Sequence, residues 1–196
     1  PIPATFRIDI TFHALELLQC VVERRTGGES GVRAVQFLEG DAVWAAAENG
    51  VWSRELFDAA AARSLSRSVG KPEDLIPDPY ALIVEYNDGF KGTVIGAAGL
   101  VRDFNFAVRV NGEVQSAAAY IPWQNSNNFG CLVRHFELMM ENGEPAYPIE
   151  RTLLTCGTLD FLMQSHHGGD VRMETPELAV AYQPPAVSAF FRGEGS

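Results

Sequence analysis

Phe6-Arg7-Ile8-Asp9-Ile10-Thr11-Phe12-His13-Ala14-Leu15-Glu16-Leu17-Leu18-Gln19-Cys20-Val21-Val22-Glu23-Arg24-Arg25 is the stretch whose reading decides the fold. Phe6, Ile8 and Ile10 alternate with Arg7 and Asp9 at the period of a strand, whereas Leu15, Leu18, Val21 and Val22 recur at helical spacing. A strand is therefore expected to run into a helix near Thr11. Arg24 and Arg25 would occupy the last turn, where cations suit the dipole, before Gly27 and Gly28 stop it. Asp9, His13 and Glu16 fall at the junction, spaced so that side chains from the first helical turns can share one side. The strand-to-helix end of a sheet is a common ligand position in α/β folds. Two readings stay open here. The three residues form an active-site cluster, or Asp9 caps the helix, His13 is a half-buried, satisfied histidine and Glu16 is solvated.

Working outward, 196 residues fit one domain, or a domain with a small appendage, and can bury a real core. A formal net charge of -10, with only 15 Lys and Arg against 25 Asp and Glu, argues against nucleic-acid and acidic-membrane partners. Cys20, Cys131 and Cys156 are odd in number, far apart and in helical segments, so the expectation is reduced, buried thiols in a cytoplasmic protein rather than a disulfide framework. Neither a bilayer-length apolar run nor a secretion signal is evident. Pro1 in first place fits a chain trimmed or cut from something longer.

Along the chain, residues 31–38 read as a second strand, residues 41–48 as a short helix capped by Asp41, and residues 54–67 as an Ala-rich helix capped by Ser53. These two helices look like an insertion, and residues 68–79, with three prolines, read as a loop. The turns Asn87-Asp88-Gly89 and Asn111-Gly112 each join two alternating runs, predicting consecutive hairpins and an antiparallel sheet. A polar loop over 122–128 leads to helices over 129–141 and 148–164. A short strand near 172–176 and a tail over 184–196 follow. His166-His167 beside Gly168-Gly169 read as a solvated helix end. The fold class expected is α+β: an open, predominantly antiparallel sheet with helices on one face, the other face covered by a partner chain, over a single domain of residues 1–183.

With that order of elements, the chain resembles the C-terminal domain of the Gfo/Idh/MocA family of NAD(P)-dependent oxidoreductases, related to glucose-fructose oxidoreductase and inositol dehydrogenase. Asp9-Ile10-Thr11-Phe12-His13-Ala14-Leu15-Glu16 resembles the family's D-x-x-x-H-x-x-D motif, residues 80–96 its hairpin in the large sheet, and residues 128–176 its helical return. Glu16 stands where that pattern prefers Asp, Thr11 where it often has Gly, and the segment 41–79 is long. No G-x-G-x-x-G follows a strand and no E-K-P segment is present, so NAD or NADP would be bound by an N-terminal Rossmann domain absent from this chain, with no cofactor expected here.

The resemblance implies His13 as the group exchanging a proton with a sugar or polyol hydroxyl and Asp9 as its tuner. Glu16, Trp123, Asn125 and Asn128 are candidate substrate contacts. Its implied partners are a second copy through the sheet face, the Rossmann domain and a carbohydrate-like substrate. The rival reading is an oligomerisation module with no chemistry. A metal held by Asp9, His13 and Glu16, with or without His135, His166 or His167, is permitted by spacing but not expected.

Overall fold

A computed structural model describes Pro3, residues 6–119 and residues 125–186, leaving aside the side chains of 125–128. In chain order it runs α1 (Ile8–Val22), β1 (Val32–Glu39), α2 (Asp41–Glu48), α3 (Arg54–Ala61), α4 (Pro72–Leu75), β2 (Tyr80–Tyr86), β3 (Lys91–Gly96), β4 (Asn105–Val110), β5 (Glu113–Ala118), α5 (Asn125–Asn142), α6 (Ile149–His167) and β6 (Met173–Glu174). A 3-10 turn at Pro176–Leu178 follows.

The expected opening strand is a helix instead. Arg7, just before the helix, has extended backbone, and the first helical hydrogen bond already runs from Thr11 N to Arg7 O at 2.8 Å. Thr11, Leu15, Gln19 and Val22 form the buried stripe of α1, so the helical period reaches four residues further back than the Leu and Val pattern showed. Ile8 and Ile10 stay exposed, whereas Phe6 turns inward against the rings of Phe37 and Tyr80. Alternation over five residues cannot separate a strand from the exposed first turn of a helix. At the other end α1 stops at Val22, so Arg24 and Arg25 lie beyond it rather than in its last turn.

The principal sheet has four strands in the order β3-β2-β1-β6, each pairing antiparallel. Strands β4 and β5 pair only with each other. Positive φ at both Asn111 and Gly112 gives their two-residue turn the twist that a tight hairpin needs. The expected single sheet is thus split after β3. There the chain turns back at Ala97, whose carbonyl accepts from Leu100 and Val101, and Leu100 is buried against Ala61 and Ile76. That anchor draws the β4–β5 hairpin onto α3 and away from the edge of β3.

Adjacent residues of β1 serve opposite faces. Phe37, with Val35, Leu82, Val84 and Tyr86, packs against Leu15 and Val22 of α1 and Leu154 and Leu162 of α6. Leu38, with Ala81 and Ile83, packs under Val43, Ala46 and Trp52. Helices therefore cover both faces rather than one, because the Ala-rich segment expected to be an insertion supplies part of the second layer. Within it α3 ends at Ala61, and the Pro-rich loop contains the one-turn helix α4, which Pro72 starts without losing a needed N–H. Cys20 and Cys156 are exposed and Cys131 half-buried, and none of the three is in a disulfide, so the expected full burial of the thiols is not found. Most of the expected tail, 187–196, lies outside the described residues.

At the far end of the second face the side chains are polar. Glu85 accepts from Arg172 (Nε 3.1 Å, Nη2 2.7 Å) and from Arg33 (2.6 Å). The Arg172 guanidinium, aided by Arg33 against the opposing effect of burial, holds the Glu85 carboxyl at about 2 instead of 4.5. A depressed carboxylate stabilises the fold above its ordinary value, and that stabilisation disappears as pH falls toward the folded value. Urea midpoints of the wild type are therefore expected to drop more steeply between pH 4.5 and about 2 than those of Glu85→Gln. Parallel pH profiles would remove the assignment.

Beneath the second half of α1 lies a buried polar network. Glu23, fully enclosed, accepts from Arg151 (Nε 2.9 Å, Nη2 2.5 Å) and from the Tyr182 hydroxyl at 2.6 Å. Gln19 donates to Glu29 at 2.5 Å and to Tyr182 at 3.0 Å, and accepts from Tyr86 at 3.2 Å. Buried polar atoms are tolerated when so partnered. The network ties α1 to α6, β2 and the last described segment.

Candidate functional site

The first two turns of α1 display the residues singled out by the sequence. His13 is exposed on the outer side of the helix, with its ring centroid 5.8 Å from that of Phe12. Asp9, one turn earlier, is also exposed, but its carboxylate bonds to Arg7 (Nη2 2.6 Å, Nε 3.2 Å), and no Asp9–His13 bond occurs among the described residues. The Arg7 hydrogen bonds hold the Asp9 carboxyl below its usual range. Glu16 points elsewhere. It is half-buried, and its Oε1 is enclosed without a hydrogen-bond partner. Trp123 and the side chains of Asn125 and Asn128 lie outside the described residues.

Beside His13, at the next residue and one turn on, Ala14 and Leu17 border a half-open cavity of about 620 Å³. Leu18 and Val21 continue that wall, β3 forms the floor, and Trp52, Leu56 and Phe57 face them across the space. Residues 104–109 close the far side. The volume suits a small ligand, and the walls are mainly apolar with a few polar groups, among them Ser53, Thr93 and Asn105. Asn105 donates to the Asp103 carboxylate at 3.0 Å, while its own carbonyl oxygen is enclosed with no donor. A ligand N–H or O–H would satisfy it.

Two further groups escaped the sequence reading. Thr11 and Tyr80 hydroxyls meet at 3.3 Å inside the core, where burial pushes the Tyr80 phenol up. Glu39, His166 and Asp170 bring one ligand-type atom each to within 4.8 Å of one another. Among the described residues this is the one such group, so the structure does not gather Asp9, His13 and Glu16 into a metal site. Of the pair expected to form a solvated helix end, His167 is exposed, whereas His166 is half-buried against the Phe37 ring, at 4.6 Å between centroids. The i,i+4 spacing of His166 and Asp170 was visible in the sequence. The arrival of Glu39 from the end of β1 was not.

Comparison with protein-family models, with curated proteins and with solved structures gives no match. No helix among the described residues is long and apolar enough to cross a membrane.

Proposed function

We propose that this chain is the C-terminal substrate-binding and dimerisation domain of an NAD(P)-dependent oxidoreductase acting on a sugar, polyol or related hydroxyl compound. The observation that carries the reading is the accessible His13 imidazole on α1, next in sequence to Ala14, which lines the cavity of about 620 Å³. A nicotinamide held by a separate Rossmann domain would supply the hydride chemistry. Within this chain, His13 takes or returns the hydroxyl proton, and Asp9, kept ionised by Arg7, places negative charge one helical turn away. The cavity walls exclude water from the apolar side of the substrate, and the Asn105 carbonyl accepts from a hydroxyl.

In the intact enzyme, His13→Ala is expected to lower turnover by ~10²–10⁴-fold with cofactor affinity nearly unchanged. Steady-state kinetics with a cofactor titration measures both, and wild-type turnover in the variant would exclude the role.

A second reading has its own observation. Helix α5 exposes Phe129, Leu132, Val133, Phe136 and Met140 at helical spacing, and Ile149 and Leu153 are exposed near the start of α6. Such a stripe fits an assembly surface, so an inert His13 together with a stable oligomer would favour a domain whose role is association alone.

A further inference from the structure

We infer that Glu39, His166 and Asp170 form a binding site for a divalent transition-metal ion, with Zn²⁺ and Mn²⁺ the best fits to the donor set. Glu39 is the last residue of β1, His166 the penultimate residue of α6, and Asp170 follows in the turn that leads to β6. Their ligand atoms lie within 4.8 Å of one another, and all three residues are half-buried, so the group is neither dispersed in solvent nor sealed from an entering ion.

The donors are held on supported backbone. Ser165 Oγ accepts from Phe37 N at 3.0 Å and donates to Val171 O at 2.6 Å, while Gln36 Nε2 donates to Asp170 O at 2.9 Å. These bonds fasten the turn after α6 to β1, so Asp170 and Glu39 keep their spacing without help from an ion. Phe37 fixes one side of the imidazole, and Nδ1 lies 3.0 Å from Asp170 Oδ1. Sites fixed by surrounding packing and hydrogen bonds need little rearrangement to bind.

The charge balance points the same way. Among the described residues, no arginine or lysine nitrogen lies within 4.0 Å of either carboxylate, and His166 is the sole basic side chain in an ion-pair contact with Asp170. The Glu39 carboxylate takes no hydrogen bond among those residues, in contrast to Glu85, Glu23 and Glu29, which each meet arginine. Two carboxylates brought this close in partly buried surroundings repel each other, and a dication between them removes that cost. One imidazole nitrogen with two carboxylate oxygens suits zinc or manganese, whereas soft Cu(I) would call for thiolate or thioether. Three protein ligands leave at least one position for water or an incoming oxygen donor, the pattern of an open rather than a purely structural site.

The test is isothermal titration of the full chain with ZnCl₂ and, separately, MnCl₂, carried out in a Cys20→Ser/Cys131→Ser/Cys156→Ser background so that thiolates do not compete. One ion per chain is expected, with a rise in melting temperature that EDTA reverses. Glu39→Gln, His166→Asn and Asp170→Asn should each weaken binding by about tenfold or more. Metal-free melting curves show whether each variant folds, and the titration of the parent protein needs no variant at all. Absence of one-to-one binding at millimolar metal, or binding indifferent to all three substitutions, overturns the site. Neither result bears on His13, which belongs to a different reading.

Discussion

Arg151→Ala is expected to lower folding stability by about 3–5 kcal/mol, the range for leaving a buried charge without its partner. Glu23 is fully enclosed, and both of its carboxylate oxygens accept from the Arg151 guanidinium, which is itself almost buried with the Tyr147 ring 4.2 Å from it. Removing the guanidinium leaves, among the described residues, the Tyr182 hydroxyl alone on that carboxylate. Water cannot readily replace what is lost, since the atoms lie between α1, α6 and the segment that passes under them. Destabilisation would spread through Tyr182 to Gln19 and Glu29, which share hydrogen bonds with it or with each other. Removing both charges should be far milder. Glu23→Gln/Arg151→Met keeps volume and one polar partner for Tyr182, and a paired deletion of this kind is often close to neutral. Urea denaturation of the three proteins measures the difference. A single variant within about 1 kcal/mol of wild type would show that this pair is not the constraint its burial implies.

The second large effect is steric. Gly31→Ala is expected to cost about 2–5 kcal/mol, combining backbone strain with overpacking. Gly31 adopts φ +87°, a region L side chains rarely enter, and a Cβ there would stand 2.6 Å from both Leu178 O and Val180 N. Those atoms are backbone, so no rotamer change relieves the clash. The residue is also fixed from both sides, its N–H donating to Glu29 Oε1 at 2.8 Å and its carbonyl accepting from Asn87 N at 2.9 Å. Gly27 is the control. Its φ is +97°, but nothing lies within 4 Å of a Cβ placed there. Gly27→Ala should therefore cost only the backbone term, about 1–2 kcal/mol. Equal thermal shifts in the two variants would mean that the crossing of residues 178–180 over Gly31 is not tight in solution.

Legibility followed the range of the interactions concerned. Asn87-Asp88-Gly89 and Asn111-Gly112 announced both hairpins, because positive φ is a property of the residue itself. Helices α5 and α6 were equally plain from their periodicity, though each extends beyond the range expected. Phe6-Arg7-Ile8-Asp9-Ile10 misled because an exposed first turn and a short strand share the same alternation, and only the burial of Thr11 decides between them. The burial of Glu23 had no local signal, because its arginine partner comes from α6.

By itself the sequence determined the mixed α and β class of the fold and the pairing of strands across the two short turns. Those outcomes depend on local torsions, turn chemistry and the period of apolar residues, all of which act over a few positions. Only the tertiary structure decided that the sheet parts after β3, that helices lie on both of its faces, and that Glu39 meets His166 and Asp170. Each of these joins residues distant along the chain, where local preference is silent and the outcome is set by which surfaces bury Leu100, Trp52 and Phe37 best.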